Sequence, residues 1–239
     1  MNSHNFLIMA IPALVALGGG VLASVWTPSH MMRSLIQHFA AGVVLAALAV
    51  ELLPEIEREH APGLVLAGSF AAGSLFMYAL KLWTMGMEHK AKIAGNTGGL
   101  GMGLLLATFI DVATDGFIIG AGFAAGGETG TILALGLSVE LLFLGLALTS
   151  SATAGWRIVA ISGALGITVL AFALIGSILL TGASHAVIGG TLAFSAAALL
   201  YLVTEELLME AHEVEEKPIS TLVLFSGFLA FWSIQPIGR

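Results

Sequence analysis

Long apolar runs, separated by short segments that contain polar residues, glycine or proline, dominate the pattern of the chain. Eight of these runs approach the roughly 20 residues that an α-helix needs to cross a bilayer. They cover residues 6–26, 35–53, 63–83, 100–125, 131–150, 156–181, 186–209 and 219–234. The pattern predicts an all-α integral membrane protein with eight transmembrane helices and a single domain over residues 1–239.

Composition supports a lipid bilayer as the surroundings of the chain. Hydrophobic residues make up 58% of the 239 positions and charged residues only 10%, which leaves too little polar surface for a soluble domain. The first run lacks a basic leader and a small-residue cleavage site, so we expect it to be retained as a helix. Together with the compact loops, this favours a bacterial inner membrane. No basic tract or aromatic platform indicates a nucleic-acid partner.

The basic residues predict an orientation. Those in or beside the loops after the first, third, fifth and seventh runs are Arg33, Lys81, Lys90, Lys92, Arg157 and Lys217. Only Arg58 and Arg239 lie on the other side. Because loops rich in lysine and arginine stay in the cytoplasm, we expect both termini to lie outside it.

Three carboxylates interrupt the fourth and fifth runs. Asp111 and Asp115 are four residues apart and share one face of a helix, and Glu140 lies midway along the next run. The short connection through residues 126–128 makes the two helices antiparallel neighbours. A charged side chain at membrane depth costs at least about 2.5–3.5 kcal/mol and needs a partner. Neither run contains a basic residue, so the sequence predicts that these three acids bind a metal cation.

Two threonines near the acids are candidate additional ligands. Thr108 and Thr114 offer hydroxyl oxygens, although a threonine within a membrane helix commonly bonds back to its own backbone. A structural alternative also stays open at this point. In it, the three acids form a neutral cluster that shares protons across a helix interface and binds no ion.

A second acidic set ends the second and seventh runs. One segment is Glu51-Leu-Leu-Pro-Glu55 and the other is Glu205-Glu206-Leu-Leu-Met-Glu210. On the predicted topology they emerge on opposite sides of the membrane, so we assign Glu51, Glu205 and Glu206 to a transport pathway. Solvated helix ends are the alternative, above all for Glu55 and Glu210. The likeness of the two segments also indicates an inverted repeat, which is common in transporters.

These residues resemble the ZIP (Zrt/Irt-like) divalent metal transporters. The second run, from Phe39-Ala-Ala-Gly to Glu51-Leu-Leu-Pro-Glu55, is similar to the family's Phe-Ala-Ala-Gly…His-Leu-Leu-Pro-Glu segment. The end of the seventh run is similar to the family's Glu-Glu-Leu-Leu/Ile-Pro-Glu. Eight spans with both termini outside also fit. The resemblance implies a ZIP-like bundle, transport of a divalent metal such as zinc, and a homodimer.

The fourth run keeps the spacing of the family motif but changes its letters. Laid on the family's His-Asn-x-Pro-Glu/Asp-Gly pattern, Asp111 takes the place of the histidine, Thr114 that of the proline, and Asp115 that of the acid. In the fifth run, Glu140 takes the place of the first ligand and Leu144 that of the last acid. The seven histidines of the chain all lie near the ends of predicted runs or in loops.

The resemblance also implies what this chain lacks. Family members with two metal ions hold the second ion at the positions of Val112, Leu141 and Gly166, which are apolar here. The resemblance therefore implies one metal site at most. Because its donors are all oxygen, Mn²⁺, Mg²⁺, Ca²⁺ or Fe²⁺ fits better than a zinc-selective centre, although carboxylates also bind Zn²⁺.

The predicted function is transport of a divalent cation, which is the substrate, through a single central site of carboxylates. No enzymatic activity is expected. One alternative is a ZIP-like fold that carries a substrate other than a metal ion. A remote alternative is an intramembrane aspartic-type protease with Asp111 and Glu140 as its dyad. The sequence lacks the motifs that surround such a dyad.

Overall fold

A computed structural model describes residues 3–26, 28–93, 102–147, 155–211 and 218–234, and all regular structure within them is helical. The helices are α1 (Ser3–Val25), α2 (His30–Arg58), α3 (Gly63–Ile93), α4 (Met102–Ala125), α5 (Gly127–Ala147), α6 (Trp156–Leu180), α7 (His185–Leu202, continued by Val203–Leu207 and Leu208–Ala211) and α8 (Pro218–Ile234). The predicted all-α architecture is confirmed.

The helices are those of a multi-pass membrane protein. By length and composition, α1 to α7 can each cross a membrane, and α8 contains a shorter apolar segment, Pro218–Ser233. Large apolar side chains such as Leu64 and Leu222 are exposed on the outside of the bundle. A soluble domain would bury much of this surface, whereas lipid tails can cover it.

Helix α2 begins earlier than its hydropathy predicts. The Ser29 side chain accepts a hydrogen bond from the backbone N–H of Met32, and this N-cap starts the helix at His30 instead of residue 35. His38 consequently lies two turns inside the helix, where its Nδ1 is 2.8 Å from the carbonyl oxygen of Ser34 and its side chain is buried. The expectation that every histidine lies near a helix end is wrong for His38.

Close helix packing organises the bundle into a central group and two flanking pairs. Helices α1, α4, α5 and α6 pack together, α2 pairs with α8, and α3 pairs with α7. Glycines permit these approaches, since a Cβ atom on Gly120 of α4 would collide with the carbonyl oxygen of Ala173 of α6. Gly42 of α2 similarly packs against the backbone of Leu224 of α8.

The first three and last three helices form an internal repeat. Ser184 caps α7 as Ser29 caps α2, and the helices begin at His185 and His30, a separation of 155 residues. The same offset relates the ends of α1 and α6 and the starts of α3 and α8. Contacts follow the repeat as well, because α4 packs on α6 as α5 packs on α1.

The two copies of the repeat run in opposite directions. The end of α7 contacts the first part of α2, and the end of α2 contacts the first part of α7. These two helices are therefore antiparallel, as equivalent helices of an inverted repeat are. The inverted repeat indicated by the acidic segments is thus present in the described residues, with α4 and α5 between its copies.

Both α2 and α7 widen into a π-helical turn where their acids lie. The turns span Ala47–Leu52 and Val203–Leu207, and their last bonds run from Leu53 N–H to the Leu48 carbonyl and from Leu208 N–H to the Val203 carbonyl. These bonds are equivalent under the offset of the repeat. Pro54, which lacks an N–H group, follows the first turn, whereas Met209 is at the equivalent position after the second. Such turns are frequent at functional sites.

Candidate metal centre

The three predicted metal ligands come together inside the bundle. Asp111 and Asp115 lie one turn apart on α4, and Glu140 lies on the neighbouring helix α5. One carboxylate oxygen from each residue lies within 4.8 Å of the other two. Their exposed fractions are 8%, 2% and 4% respectively, so all three side chains are shielded from the surroundings.

The connection between α4 and α5 makes this meeting possible. Gly126 alone separates the two helices, and its N–H donates to the carbonyl of Gly122 at 2.8 Å. Close to this turn, a Cβ atom on Gly122 would lie 3.1 Å from the Cα atom of Gly130 on α5. The two backbones are therefore nearly in contact at the turn, and short carboxylate side chains can meet across the interface further along.

Two oxygens of the cluster lack the interactions that buried polar atoms normally have. Asp115 Oδ2 and Glu140 Oε2 are buried and have no hydrogen-bond partner in the protein. Buried polar atoms are nearly always hydrogen-bonded, and leaving one unsatisfied is costly. A cation among the three carboxylates would satisfy both oxygens. Oxygen donors of this kind suit the hard divalent ions Mn²⁺, Mg²⁺ and Ca²⁺.

A small cavity of about 50 Å³ lies beside the cluster and joins four helices. Its lining comprises Gln37 and Ala40 of α2, Asp111 of α4, Glu140, Phe143 and Leu144 of α5, and Leu202, Glu206 and Leu207 of α7. Polar groups therefore reach the cavity from α2, α4, α5 and α7. The volume is enough for an ion together with a water molecule.

The structure separates the three acids assigned to the pathway. Glu206 lines the cavity, whereas its neighbour Glu205 forms an ion pair with Lys81 of α3. The Lys81 ammonium also lies 5.8 Å from the ring centre of Tyr201. Glu51 is buried in the π-helical turn of α2, with an exposed fraction of 6%. Of these acids, Glu206 is the one that reaches the cavity beside the cluster.

The two candidate threonine ligands have different positions. The Thr114 hydroxyl donates to the carbonyl of Ile110 at 2.9 Å, and the side chain lines another cavity, of about 460 Å³. The other residues that line it are Phe76, Phe109, Ile110, Ala113, Phe117, Thr168, Phe172 and Phe194. Thr114 is thus not brought into the carboxylate cluster. Thr108 is buried one turn before Asp111 on α4.

The positions that hold a second ion in the ZIP family serve helix packing in this chain. Val112 and Leu141 are fully buried in the hydrophobic core. Gly166 packs on α1, where a Cβ atom would lie 2.7 Å from the carbonyl oxygen of Ala13. These three residues offer no side-chain donor to a metal ion.

Gln37 is a polar residue of the cavity that sequence analysis did not identify. It is almost fully buried on α2, two residues before the Phe39-Ala-Ala-Gly segment. Arg33, one turn earlier, is half-buried. The hydropathy pattern predicts a second run that begins at residue 35, which places Gln37 at a helix end. Because α2 starts at His30, Gln37 lies about two turns inside the helix. The hydropathy pattern does not reveal this early start.

No protein-family model matches this chain, and a search of curated proteins finds no match either. The resemblance to the ZIP transporters therefore stays a prediction. The geometry of the three carboxylates and of the neighbouring cavity carries the functional argument.

Proposed function

We propose that this protein is a ZIP-like transporter that carries a divalent cation across the membrane through Asp111, Asp115 and Glu140. The observation that carries the proposal is the buried meeting of three carboxylates from two membrane helices, with two oxygens that have no hydrogen-bond partner. An isolated charge at this depth is expensive, and a bound divalent ion would offset the charges of the cluster.

The proposal includes eight spans, with α8 as the last of them, and both termini outside the cytoplasm. This orientation follows from the excess of basic residues in the loops on the other side. It places the end of α7, with Glu206, at the cytoplasmic side and the end of α2, with Glu51, at the opposite side. The resemblance adds a homodimer, and the compact loops favour a bacterial inner membrane.

Inverted repeats supply a physical route for transport. When two copies of one motif face opposite sides of the membrane, an exchange of their conformations closes one entrance and opens the other. In this protein, α4 and α5 carry the cluster between the copies, while α2 and α7 carry the acids at either end. The ion would then move between Glu206, the central carboxylates and the Glu51 side.

Two features argue against the other uses of the cluster. A structural cluster of neutral acids has no use for the cavity beside it, which Asp111 and Glu140 line together with Glu206. A protease dyad needs two carboxyls, and here Asp115 lies as close to Asp111 and Glu140 as ligands of one ion do. Coordination uses all three residues.

The larger cavity favours a second candidate function. It is lined mainly by apolar side chains, five of them phenylalanine rings, and its volume of about 460 Å³ is in the range of small-molecule sites. Transport of an apolar solute would use this cavity and not the carboxylates. Under this candidate, Thr168→Trp blocks transport, whereas Asp115→Asn and Glu140→Gln leave it unchanged.

Uptake into proteoliposomes tests the leading proposal. Purified full-length protein is reconstituted, and uptake of Mn²⁺, Fe²⁺, Zn²⁺, Co²⁺, Cd²⁺ and Mg²⁺ is compared with that of Asp115→Asn and Glu140→Gln. Glu128→Gln, an exposed acid at the start of α5, is the matched control. We expect uptake by wild type and the control, and none above background by the two central variants. Equal uptake by all four proteins would contradict the central site.

A further inference from the structure

A serine hydroxyl is buried without a hydrogen-bond partner in the middle of α7. Ser195 has an exposed fraction of only 1%, and its Oγ atom has no partner in the protein. Thr191 and Thr204 of the same helix instead donate to backbone carbonyl oxygens four residues earlier, at 2.8 and 2.9 Å. A buried hydroxyl without a partner costs free energy, so helix packing alone does not account for a serine at this position.

Ser195 lies on the face of α7 that lines the cavity beside the carboxylate cluster. Leu202 lines this cavity, and Ser195 precedes it by seven residues, which is two helical turns with a rotation of only about 20°. Ala197, about 160° around the helix from Ser195, faces α3 instead, because a Cβ atom on Gly73 would lie 3.0 Å from its Cβ atom. Ser195 therefore points into the bundle, in line with the cavity.

The position of Ser195 along α7 is beyond the cavity, toward the turn between α4 and α5. The end of α2 lies at this turn, because a Cβ atom on Gly126 would be 4.0 Å from Glu55 Oε1. Since α7 runs antiparallel to α2, its start lies on the same side. Ser195 is therefore about 10 Å closer to that side than the first cavity-lining residue of α7, and Asp115 is about 6 Å closer than Asp111. The serine and the most deeply buried acid thus lie on the same side of the cavity.

The internal repeat relates Ser195 to a residue that lines the cavity. Under the offset of 155 residues, Phe194-Ser-Ala-Ala of α7 corresponds to Phe39-Ala-Ala-Gly of α2, and Ser195 corresponds to Ala40. Ala40 lines the cavity, so Ser195 would line an equivalent cavity in the other half of the bundle. The other equivalents of the α2 and α7 lining residues are all buried, namely Ala47, Glu51, Leu52 and Leu192. This half is therefore closed in the structure.

We propose that Ser195 lines the closed half of the ion path, between the central cluster and the side of the α4–α5 turn. The proposal rests on the proposed function and adds a residue to its path. When the two copies of the repeat exchange conformations, the side chains packed around Ser195 separate. Its hydroxyl then gives the ion the next oxygen after Asp115, and an oxygen donor suits the same hard cations as the cluster.

Thiol labelling tests the proposal, and a second serine supplies the matched control. Ser162 of α6 is also fully buried, and its Oγ atom likewise has no hydrogen-bond partner. It lies outside the proposed path, at the interface with α1, where a Cβ atom on Gly20 would collide with its side chain. Because the chain contains no cysteine, Ser195→Cys and Ser162→Cys can each be labelled specifically with a charged thiol reagent in lipid nanodiscs.

We expect Ser195→Cys to react at least about tenfold faster than Ser162→Cys, because opening of the path exposes it while α1 and α6 stay packed. The ion used is the one, of the six tested for uptake above, that wild-type protein takes up fastest. At saturation this ion should slow labelling of Ser195→Cys at least about threefold, since a bound ion occupies the path. Combining Ser195→Cys with Asp115→Asn should remove this protection.

Removal of the hydroxyl separates a path residue from a structural one. We expect Ser195→Ala to lower uptake of the same ion into proteoliposomes about fivefold, the factor for one lost hydrogen-bonding oxygen. Its midpoint of thermal unfolding should not fall, because the Ser195 hydroxyl has no partner to lose. Ser162→Ala should leave uptake unchanged.

The outcomes keep this proposal distinct from the central site. Labelling of Ser195→Cys no faster than that of Ser162→Cys, or labelling that the ion does not slow, would overturn the role of Ser195. Wild-type uptake that Asp115→Asn abolishes would in that case leave the proposed function intact. If wild type took up none of the six ions, both proposals would fail. Should Ser195→Cys not fold, uptake by Ser195→Ala equal to that of wild type would overturn the role instead.

Discussion

The ends of α2 and α7 have the same backbone and opposite surroundings. Both helices form a π-helical turn at equivalent positions, and in both a glutamate of the turn is followed in the sequence by two leucines. Glu51, at the end of α2, is buried, whereas its counterpart Glu206 is exposed and lines the cavity beside the carboxylates. Sequence similarity alone would have placed two equal vestibules at the two sides.

The helix segment opposite each end explains the difference. The end of α7 packs near the first part of α2, which carries the polar residues Arg33 and Gln37. The end of α2 packs near the first part of α7, where the equivalent residues are Ile188 and Leu192, both buried. At these positions the end of α7 therefore faces polar side chains and the end of α2 faces apolar ones, next to the pair of Glu59 with His185. When the two copies of an inverted repeat have different residues at their helix ends, access from one side of the membrane can be closed while access from the other is open.

The largest expected effect concerns access to the two ends. The chain contains no cysteine, so single cysteines report without background. Leu207→Cys lies on the cavity, and Leu52→Cys lies at the equivalent, fully buried position of α2. We expect a charged thiol reagent to modify Leu52→Cys at least about 100-fold more slowly than Leu207→Cys. This factor corresponds to a local opening of the structure that costs roughly 3 kcal/mol. Equal modification rates for the two variants would contradict the difference in access between the two helix ends.

A polar substitution among the apolar residues opposite the end of α2 sharpens the same comparison. Leu192→Gln gives α7 the residue that α2 has at the equivalent position. We expect it to speed modification of Leu52→Cys by about tenfold, because burying an unsatisfied amide costs about 1–3 kcal/mol. Leu200→Gln, at a partly exposed position of α7, is the control and should change the rate little. If Leu192→Gln left the modification rate of Leu52→Cys unchanged, other residues would have to limit access to this end.

Helix α2 pairs with α8 and α7 pairs with α3, and we expect both pairings to contribute to folding stability. A Cβ atom on Gly42 would collide with the Leu224 carbonyl on α8, and one on Gly73 would lie 2.6 Å from the Phe194 carbonyl on α7. Gly42→Ala and Gly73→Ala should each destabilise the fold by about 1–3 kcal/mol. Thermal unfolding in detergent measures this. Gly68→Ala, with open space around its Cβ atom, is the control.

The smallest expected effect concerns the ion pair at the polar end. Lys81 and Glu205 are both partly exposed, so their pair should contribute only about 0–1 kcal/mol to folding stability. Lys81→Gln should therefore change the midpoint of thermal unfolding less than either glycine variant. A larger loss would show that this pair, and not helix packing, holds α3 against α7.

Much of the fold follows from local signals in the sequence. The apolar runs predict the helices because each must cover about the thickness of a bilayer. The cluster could also be predicted, since Asp111 and Asp115 share a helix face and the short turn brings Glu140 next to them. These features depend on spacing along one helix or across one short connection.

The remaining features depend on which side chains oppose one another. The early start of α2 was concealed because polar residues near His30 lower the local hydropathy, although the Ser29 cap fixes the start. Gln37 acquires its role only when α7 brings Glu206 to the same cavity. The burial of Glu51 likewise depends on helices later in the chain, because its turn contacts both α5 and α7.

The central claim is that Asp111, Asp115 and Glu140 bind a divalent cation as a unit. Anomalous X-ray diffraction from crystals of the full chain grown with Mn²⁺ tests it most directly. We predict an anomalous peak with oxygens of all three residues at about 2.0–2.6 Å, the range of hard-ion ligands. The same crystals of Glu140→Gln should lose the peak. Wild-type crystals saturated with Mn²⁺ but without a peak between these carboxylates would contradict the claim.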